Sequence, residues 1–174
     1  AHRSVGRTLG ILGVGRIGSQ AAKRALGLGM NVIGNDNARP DAELRAIGVE
    51  PVDLATLAAR ADYVSVHTPY SPSSHHLVDA DLIASFQPGT ILVNTSRGKV
   101  LDQAAVDAAL RSGHLAAAGL DVFETEPLPV DDPIRSAPNV ILPPPHASFS
   151  DEAMVDLRKE MVSTPIDFMT CPLY

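Results

Sequence analysis

Cysteine is nearly missing from this chain: Cys171 stands alone among 174 residues. That excludes an internal disulfide framework and any cysteine-based zinc cluster, and it suits a reducing cytoplasm. Positive charge is scarce as well, with 14 Lys and Arg against 20 Asp and Glu, a formal net charge of −6 and a pI near 5.4. Such a balance offers no basic face to a phosphate backbone, so no nucleic-acid partner is expected. No apolar run approaches the length of a membrane span, and the N-terminus carries no signal-peptide pattern. The expectation is a soluble, cytoplasmic protein without a membrane partner. Internal repeats and low-complexity tracts are absent too. What is present is ordinary globular composition, 45% apolar and 20% charged, in a length that fits one domain with a real core.

Short apolar runs alternate with amphipathic segments, the pattern of strand and helix units stacked into a parallel sheet. "TLGILGV" reads as a buried strand, followed by a helix from about Ile17 to Leu28 with Gly29 as its stop. "NVIGND" is a second strand. "DAELRAIG" and "DLATLAARA" read as short helices capped by Asp41 and Asp53. The strand "YVSVHT", the helix "DADLIASF", the strand "TILVNTS" and the helix "DQAAVDAALRSG" follow. Then come the strand "AAAGLDVF", the loop "EPLPVDDP", the run "NVILP" and a helix beginning near Ser150. The fold class expected is a doubly wound, Rossmann-type α/β sheet, with a dinucleotide-binding domain over 1–162 and an irregular tail over 163–174.

The strongest local signal is "GVGRIG", with Gly13, Gly15 and Gly18 between a strand and a helix. In a dinucleotide site the first glycine permits the tight turn, the second admits the pyrophosphate, and the third lets helix and strand pack closely. The free N–H groups of the helix N-terminus then face the anion. Asp36 ends the second strand, where an acidic side chain would accept hydrogen bonds from ribose hydroxyls and favour NAD; the alternative is a turn aspartate. Arg39, three residues on, could offset that charge and keeps NADP open. Arg97 lies just past a strand, at the edge where open α/β sheets collect ligands. A guanidinium there can grip a carboxylate with planar geometry, although an arginine alone reads equally as a surface ion-pair residue. Asp121 sits at another strand end. Glu126 is an ordinary solvated loop residue unless it meets a histidine and tunes its basicity. His146, after three prolines in "ILPPPHASFSDEA", is either a catalytic base on a stiff loop or a surface histidine, and nothing local decides between them.

Taken together, "LGILGVGRIG", "HTPYSPSSHHLVDADLI", "ILVNTSRGKVLDQAAVDAALRSGHLAAAGLDVFETEP" and "PNVILPPPHASFSDEA" resemble, in order and spacing, the nucleotide-binding domain of the D-isomer-specific 2-hydroxyacid dehydrogenases. The similarity runs from about Gly6 to Glu160. Within that family the "HASFSDEAM…LRKE" segment looks most like the C-terminal-binding-protein branch, which includes NAD-sensing corepressors and bacterial dehydrogenases. The resemblance implies an NAD-dependent oxidoreductase acting on a small D-2-hydroxy acid or its 2-oxo form, and a homodimer. It further implies that Arg97 binds and polarises the 2-oxo acid, that Glu126 pairs with a histidine, and that His146 exchanges the proton as hydride moves. Thr95 and Asp121 would touch the nicotinamide side, Arg16 and Ile17 the pyrophosphate, and Thr68 and Pro69 the adenosine side. A non-catalytic NAD-sensing module of corepressor type is the alternative. A methyltransferase with a nucleoside cofactor on a similar sheet is hard to reconcile with the Arg-Gly and Asp-Val-Phe-Glu segments.

Two departures bear on activity. Relatives read Thr-Pro-His after "NVIL", so an ungapped register puts Pro145 on the catalytic position and His146 one residue late. A re-routed loop can absorb that shift. The separate substrate domain of the family is also not recognisable, and both ends read as if a domain had been cut from something larger. His67, His75, His76 and His114 are expected on solvated surface.

Overall fold

A computed structural model describes residues 3–143 of the protein. The helix expected near Ser150, the boundary at 162 and the tail over 163–174 lie outside the described residues. Seven strands form one parallel sheet: β1 (Thr8–Leu12), β2 (Asn31–Asn35), β3 (Glu50–Pro51), β4 (Tyr63–Val66), β5 (Thr90–Asn94), β6 (Leu115–Leu120) and β7 (Val140–Ile141). Five α-helices connect them: α1 (Arg16–Gly27), α2 (Asp41–Ala46), α3 (Leu54–Arg60), α4 (Ala80–Ala84) and α5 (Gln103–Ser112). The strand order is β3-β2-β1-β4-β5-β6-β7. Because β1 pairs with both β2 and β4, the winding direction reverses between β1 and β4, where such sheets open a crevice at their carboxyl ends.

Burial on both faces explains why β1 is nearly all apolar. Ile11 packs with Val14, Val32, Leu44 and Val49 beneath α1 and α2. Its neighbour Leu12 points the other way, into the cluster that holds Ile33, Leu57, Ala58 and Val106 beneath α3, α4 and α5. Each such fully buried aliphatic side chain contributes about 1.5–3 kcal/mol. The buried face of α1 is small, consisting of Gly18, Ala22 and Ala25, and lets the helix lie close to the sheet.

Helix starts follow the side chains available. Asp53, Asp79 and Asp102 each accept the backbone N–H three residues on, capping α3, α4 and α5. Asp41 departs from expectation. Pro40, with φ of −60°, occupies the cap position and Asp41 is the first helical residue, its carboxylate instead meeting Arg45 at 3.3 Å one turn on. Gly29, with φ of +74°, closes the first helix where expected. β6 stops at Leu120, short of the apolar run through Phe123, because the chain turns there and the Asp121 N–H reaches the Asn94 carbonyl at 3.0 Å. Among the described residues no helix is long and apolar enough to cross a membrane, and no group of three His, Cys, Asp or Glu could hold a metal ion.

Candidate active site

The turn after β1 is built by backbone contact. Gly13 has φ of +88°, and a Cβ on it would stand 2.7 Å from the Thr68 nitrogen, so no other residue brings the turn against the strand end of β4. A Cβ on Gly18 would overlap the Gly13 carbonyl oxygen. Gly15 is different. Its φ of −72° suits any residue, and a Cβ there would meet nothing within 4 Å. Among the described residues nothing requires that glycine; what it keeps is space before the N-terminus of α1. Among the described residues no side chain caps that helix, and its first turn carries no acidic residue, so its leading N–H groups are left for an anion.

Asp36 follows β2 and grips the same turn. Its Oδ2 accepts the Val14 N–H at 2.7 Å, and its Oδ1 accepts the N–H groups of Ala38 and Arg39 at 2.8 and 3.0 Å. It also lines a hollow of about 310 Å³ with Asn35, Asn37, Pro51 and Val52. Arg39 is not free, as the sequence left open. Its Nη1 donates to the Val14 carbonyl at 2.7 Å and to Ser19 Oγ at 2.8 Å. Its Nε and Nη2 donate to Glu43 Oε2.

On the other side of β4 lies a cleft of about 840 Å³. Arg16, Ile17, Pro69, Thr95, Arg97 and Glu126 all line it. Ile17 is 71% exposed there. Two loops carry the charged groups. The Arg97 loop hangs on Asn94, whose buried side chain donates to the Arg97 carbonyl at 3.0 Å and accepts from the Ser96 N–H and hydroxyl at 3.0 and 2.8 Å. Arg97 itself is exposed, with Nη1 donating to the Ser96 carbonyl at 2.7 Å. Next to it, a Cβ on Gly98 would overlap the carbonyl group of Phe123, so the two loops meet backbone to backbone. Beyond that contact Glu124 Oε1 accepts the Gln103 N–H at 2.7 Å, and Glu126 Oε1 accepts the Phe123 N–H at 3.0 Å.

The histidines correct the expectation of solvated surface. His67 lines the cleft, lies 2.9 Å from Ser65 Oγ through Nε2, and is held below the usual histidine pKa by burial. His114 Nε2 meets the Ile83 carbonyl at 2.9 Å. His76 Nε2 lies 3.2 Å from Glu124 Oε1, near enough for an ion pair when charged but without hydrogen-bond geometry. Its ring stacks at 4.0 Å on that of His75, which alone is exposed as expected. His67, His76 and His114 thus each lie within reach of a hydroxyl, a carboxylate or a backbone carbonyl.

The site residues read from sequence therefore fall into two neighbouring groups. Gly13, Gly15, Gly18 and Asp36 form the turn and the hollow, while Arg16, Ile17, Pro69, Thr95, Arg97 and Glu126 form the cleft. Thr68 sits between them against Gly13, and Pro69 lines the cleft and not the Asp36 hollow. Asp121 is placed at the end of β6 by the Asn94 carbonyl. His146 and Pro145 lie outside the described residues. Sequence reading missed Asn94, Gly98 and the Arg39 contacts. A polar residue closing an apolar strand was the available signal for Asn94.

A parallel sheet with a glycine turn, an uncapped helix and a strand-end acid at its switch point defines a Rossmann-type dinucleotide-binding domain. The family match is direct: residues 1–148 fit the D-isomer specific 2-hydroxyacid dehydrogenase, NAD binding domain, and the chain belongs to that family. A glyoxylate reductase of Korarchaeum cryptofilum is 44% identical over 163 residues, which are 94% of this chain and 49% of that protein. The crystal structure of the apo D-mandelate dehydrogenase of Rhodotorula graminis superposes with a TM-score of 0.84 at 41% identity, covering 91% of this chain and 47% of that one. A D-lactate dehydrogenase from Aquifex aeolicus, solved with NAD and lactic acid, gives a TM-score of 0.81 at 34% identity over 90% of this chain and 51% of that one. The chain thus spans about half the length of the relatives it matches. The family it belongs to is one of NAD-binding domains, so its cofactor is a nicotinamide dinucleotide.

Proposed function

We propose that this chain is the cofactor half of an NAD-dependent oxidoreductase that reduces a small 2-oxo acid to the D-2-hydroxy acid. The observation that carries the reading is the placing of Arg97 and Glu126 in one cleft with Arg16 and Ile17, the first residues of the helix behind the glycine turn. The turn fits the cofactor: Gly15 keeps room for the pyrophosphate, the N–H groups of Arg16 and Ile17 bind it, and Asp36 accepts the ribose hydroxyls of NAD. Thr68 and Pro69 would border the dinucleotide, and Thr95 and Asp121 would flank its nicotinamide end. When bound, the nicotinamide supplies the hydride. Arg97 holds the substrate carboxylate and draws electron density from the 2-oxo group. His146 gives the carbonyl oxygen its proton, and Glu126 stabilises the imidazolium beforehand. Proton and hydride together complete the alcohol.

A second reading is an NAD-sensing module of corepressor type using the same glycine turn, which rests on the sequence resemblance alone. It also keeps the register in which Pro145 replaces His146. The exposed guanidinium in the cleft favours the reductase, since sensing does not need it. A homodimer is the assembly the family resemblance implies, to be checked by light scattering.

The test has two stages. Fluorescence titration should show this chain binding NADH, and the full-length protein should oxidise NADH with glyoxylate or related 2-oxo acids. Arg97→Lys should lower kcat/KM by about a hundredfold or more, since a point charge cannot reproduce a bidentate fork. Binding without turnover of any 2-oxo acid by the full-length protein would leave the sensing module.

A further inference from the structure

The backbone of Val14, at the middle of the glycine turn, is held at both its N–H and its carbonyl by the segment that follows β2. Asp36 takes its N–H at 2.7 Å and the Arg39 guanidinium donates to its carbonyl at 2.7 Å. The same guanidinium nitrogen reaches Ser19 Oγ at 2.8 Å, and that hydroxyl in turn donates to the Val14 carbonyl at 3.2 Å. Glu43, one turn into α2, holds the opposite edge of the guanidinium through Nε and Nη2 at 3.1 and 3.0 Å. Arg39 is accordingly half-buried, its side chain 28% exposed. Little of the fork is left for a ligand.

We infer that Arg39 is a positioning residue for the dinucleotide turn, and that Glu43, by holding and locally neutralising it, is a specificity-determining residue that disfavours a 2′-phosphorylated dinucleotide. The inference rests on the cofactor reading above and goes beyond it. An arginine three residues past the ribose-binding acid would ordinarily be the cation available to a 2′-phosphate. Here it faces the protein, not the hollow beside Asp36. Removing Glu43 frees two donors on its outer edge without touching those that hold Val14 and Ser19. Removing Arg39 instead leaves the Val14 carbonyl with only the weaker Ser19 contact, so the turn loosens and no cation is gained.

The two substitutions therefore separate. By calorimetry on this chain, Arg39→Leu should weaken NADH binding about tenfold, the cost of re-ordering a loosened turn each time the dinucleotide binds, with no gain for NADPH. Arg39→Lys, which keeps the charge but cannot bridge Val14, Ser19 and Glu43 together, should lie between. Thermal melting should show both variants still cooperatively folded, with Tm lowered by the internal bonds they lose. Amide exchange at Val14 without any ligand should quicken in both. Glu43→Gln should leave NADH binding within about twofold and narrow the NADH to NADPH gap several-fold. Unchanged NADH affinity and unchanged Val14 exchange in Arg39→Leu would overturn the positioning role. An unchanged NADH to NADPH gap in Glu43→Gln would overturn the role of Glu43. If the unmodified chain bound neither dinucleotide, the cofactor reading itself would fall and this inference with it.

Discussion

At Gly98 the Arg97 loop and the Phe123–Glu124 loop touch through their backbones, so even a methyl group there has nowhere to go. Gly98→Ala should cost about 1–3 kcal/mol of stability by urea unfolding, as overpacking does. It should also displace Arg97, the side chain that follows the packed peptide. Asn94→Ala acts on the same loop from beneath by leaving the Ser96 N–H and the Arg97 carbonyl without their buried partner, at about 1–3 kcal/mol. Equal stability of Asn94→Ala and the unmodified chain would show that water replaces the amide. His67 gives a pH dependence of definite sign. Burial lowers its folded-state pKa, so the unfolded chain binds the proton first. Its contribution is fully present above the unfolded value of about 6.5 and is lost as pH falls through the depressed folded value. Thermal melts of His67→Gln should lose less stability than the unmodified chain on acidification below that point. The glycines and Asp36 were legible because each serves a local geometry written in a few adjacent letters. Asn94 and Gly98 were not, since the loop each one serves comes near it only after β5 and β6 have paired.

Strand and helix order was legible for the same local reason: a period of two or an apolar run, then an amphipathic stretch opened by aspartate and closed by glycine. Three of the aspartates cap as such residues do, and Asp102→Ala should cost about 1 kcal/mol by thermal or chemical unfolding. Asp41 misled because the preceding proline sets the backbone for the helix by itself, leaving the carboxylate to a neighbour one turn on. β3 escaped notice because two residues, one of them a proline on the sheet edge, show no periodicity. Tight packing of α3 on β1 is the element contact most exposed to test. A Cβ at Gly10 would lie 2.8 Å from Leu57 Cδ2, so the helix rests directly on the strand. Leu57→Ala should open a cavity there and cost about 2–5 kcal/mol; a smaller loss would mean that α3 settles into the gap.

For the molecule as a whole, ligand binding and folding are linked, because the turn, the hollow and the cleft exist only when the strands are assembled. NADH at about a hundred times its Kd should add about 2.7 kcal/mol to the unfolding free energy, read as a rise in Tm. Gly15→Val should abolish that rise while leaving the unliganded Tm nearly unchanged, since a side chain there meets no protein atom. A normal ligand-induced shift in that variant would remove the pyrophosphate from Gly15. The central place of β1 has a consequence for how the chain acquires its structure during synthesis. β1 leaves the ribosome before both of its neighbours, with two open edges. β2 and β3 can close on one edge while β4 to β7 are still being made. The glycine turn, Asp36 and Arg39 all fall within that early segment, whereas Arg97 and Glu126 wait for the later strands. A nascent chain therefore carries the Asp36 and Arg39 bonds to Val14 before the loops that bring Arg97 and Glu126 to the cleft have been made.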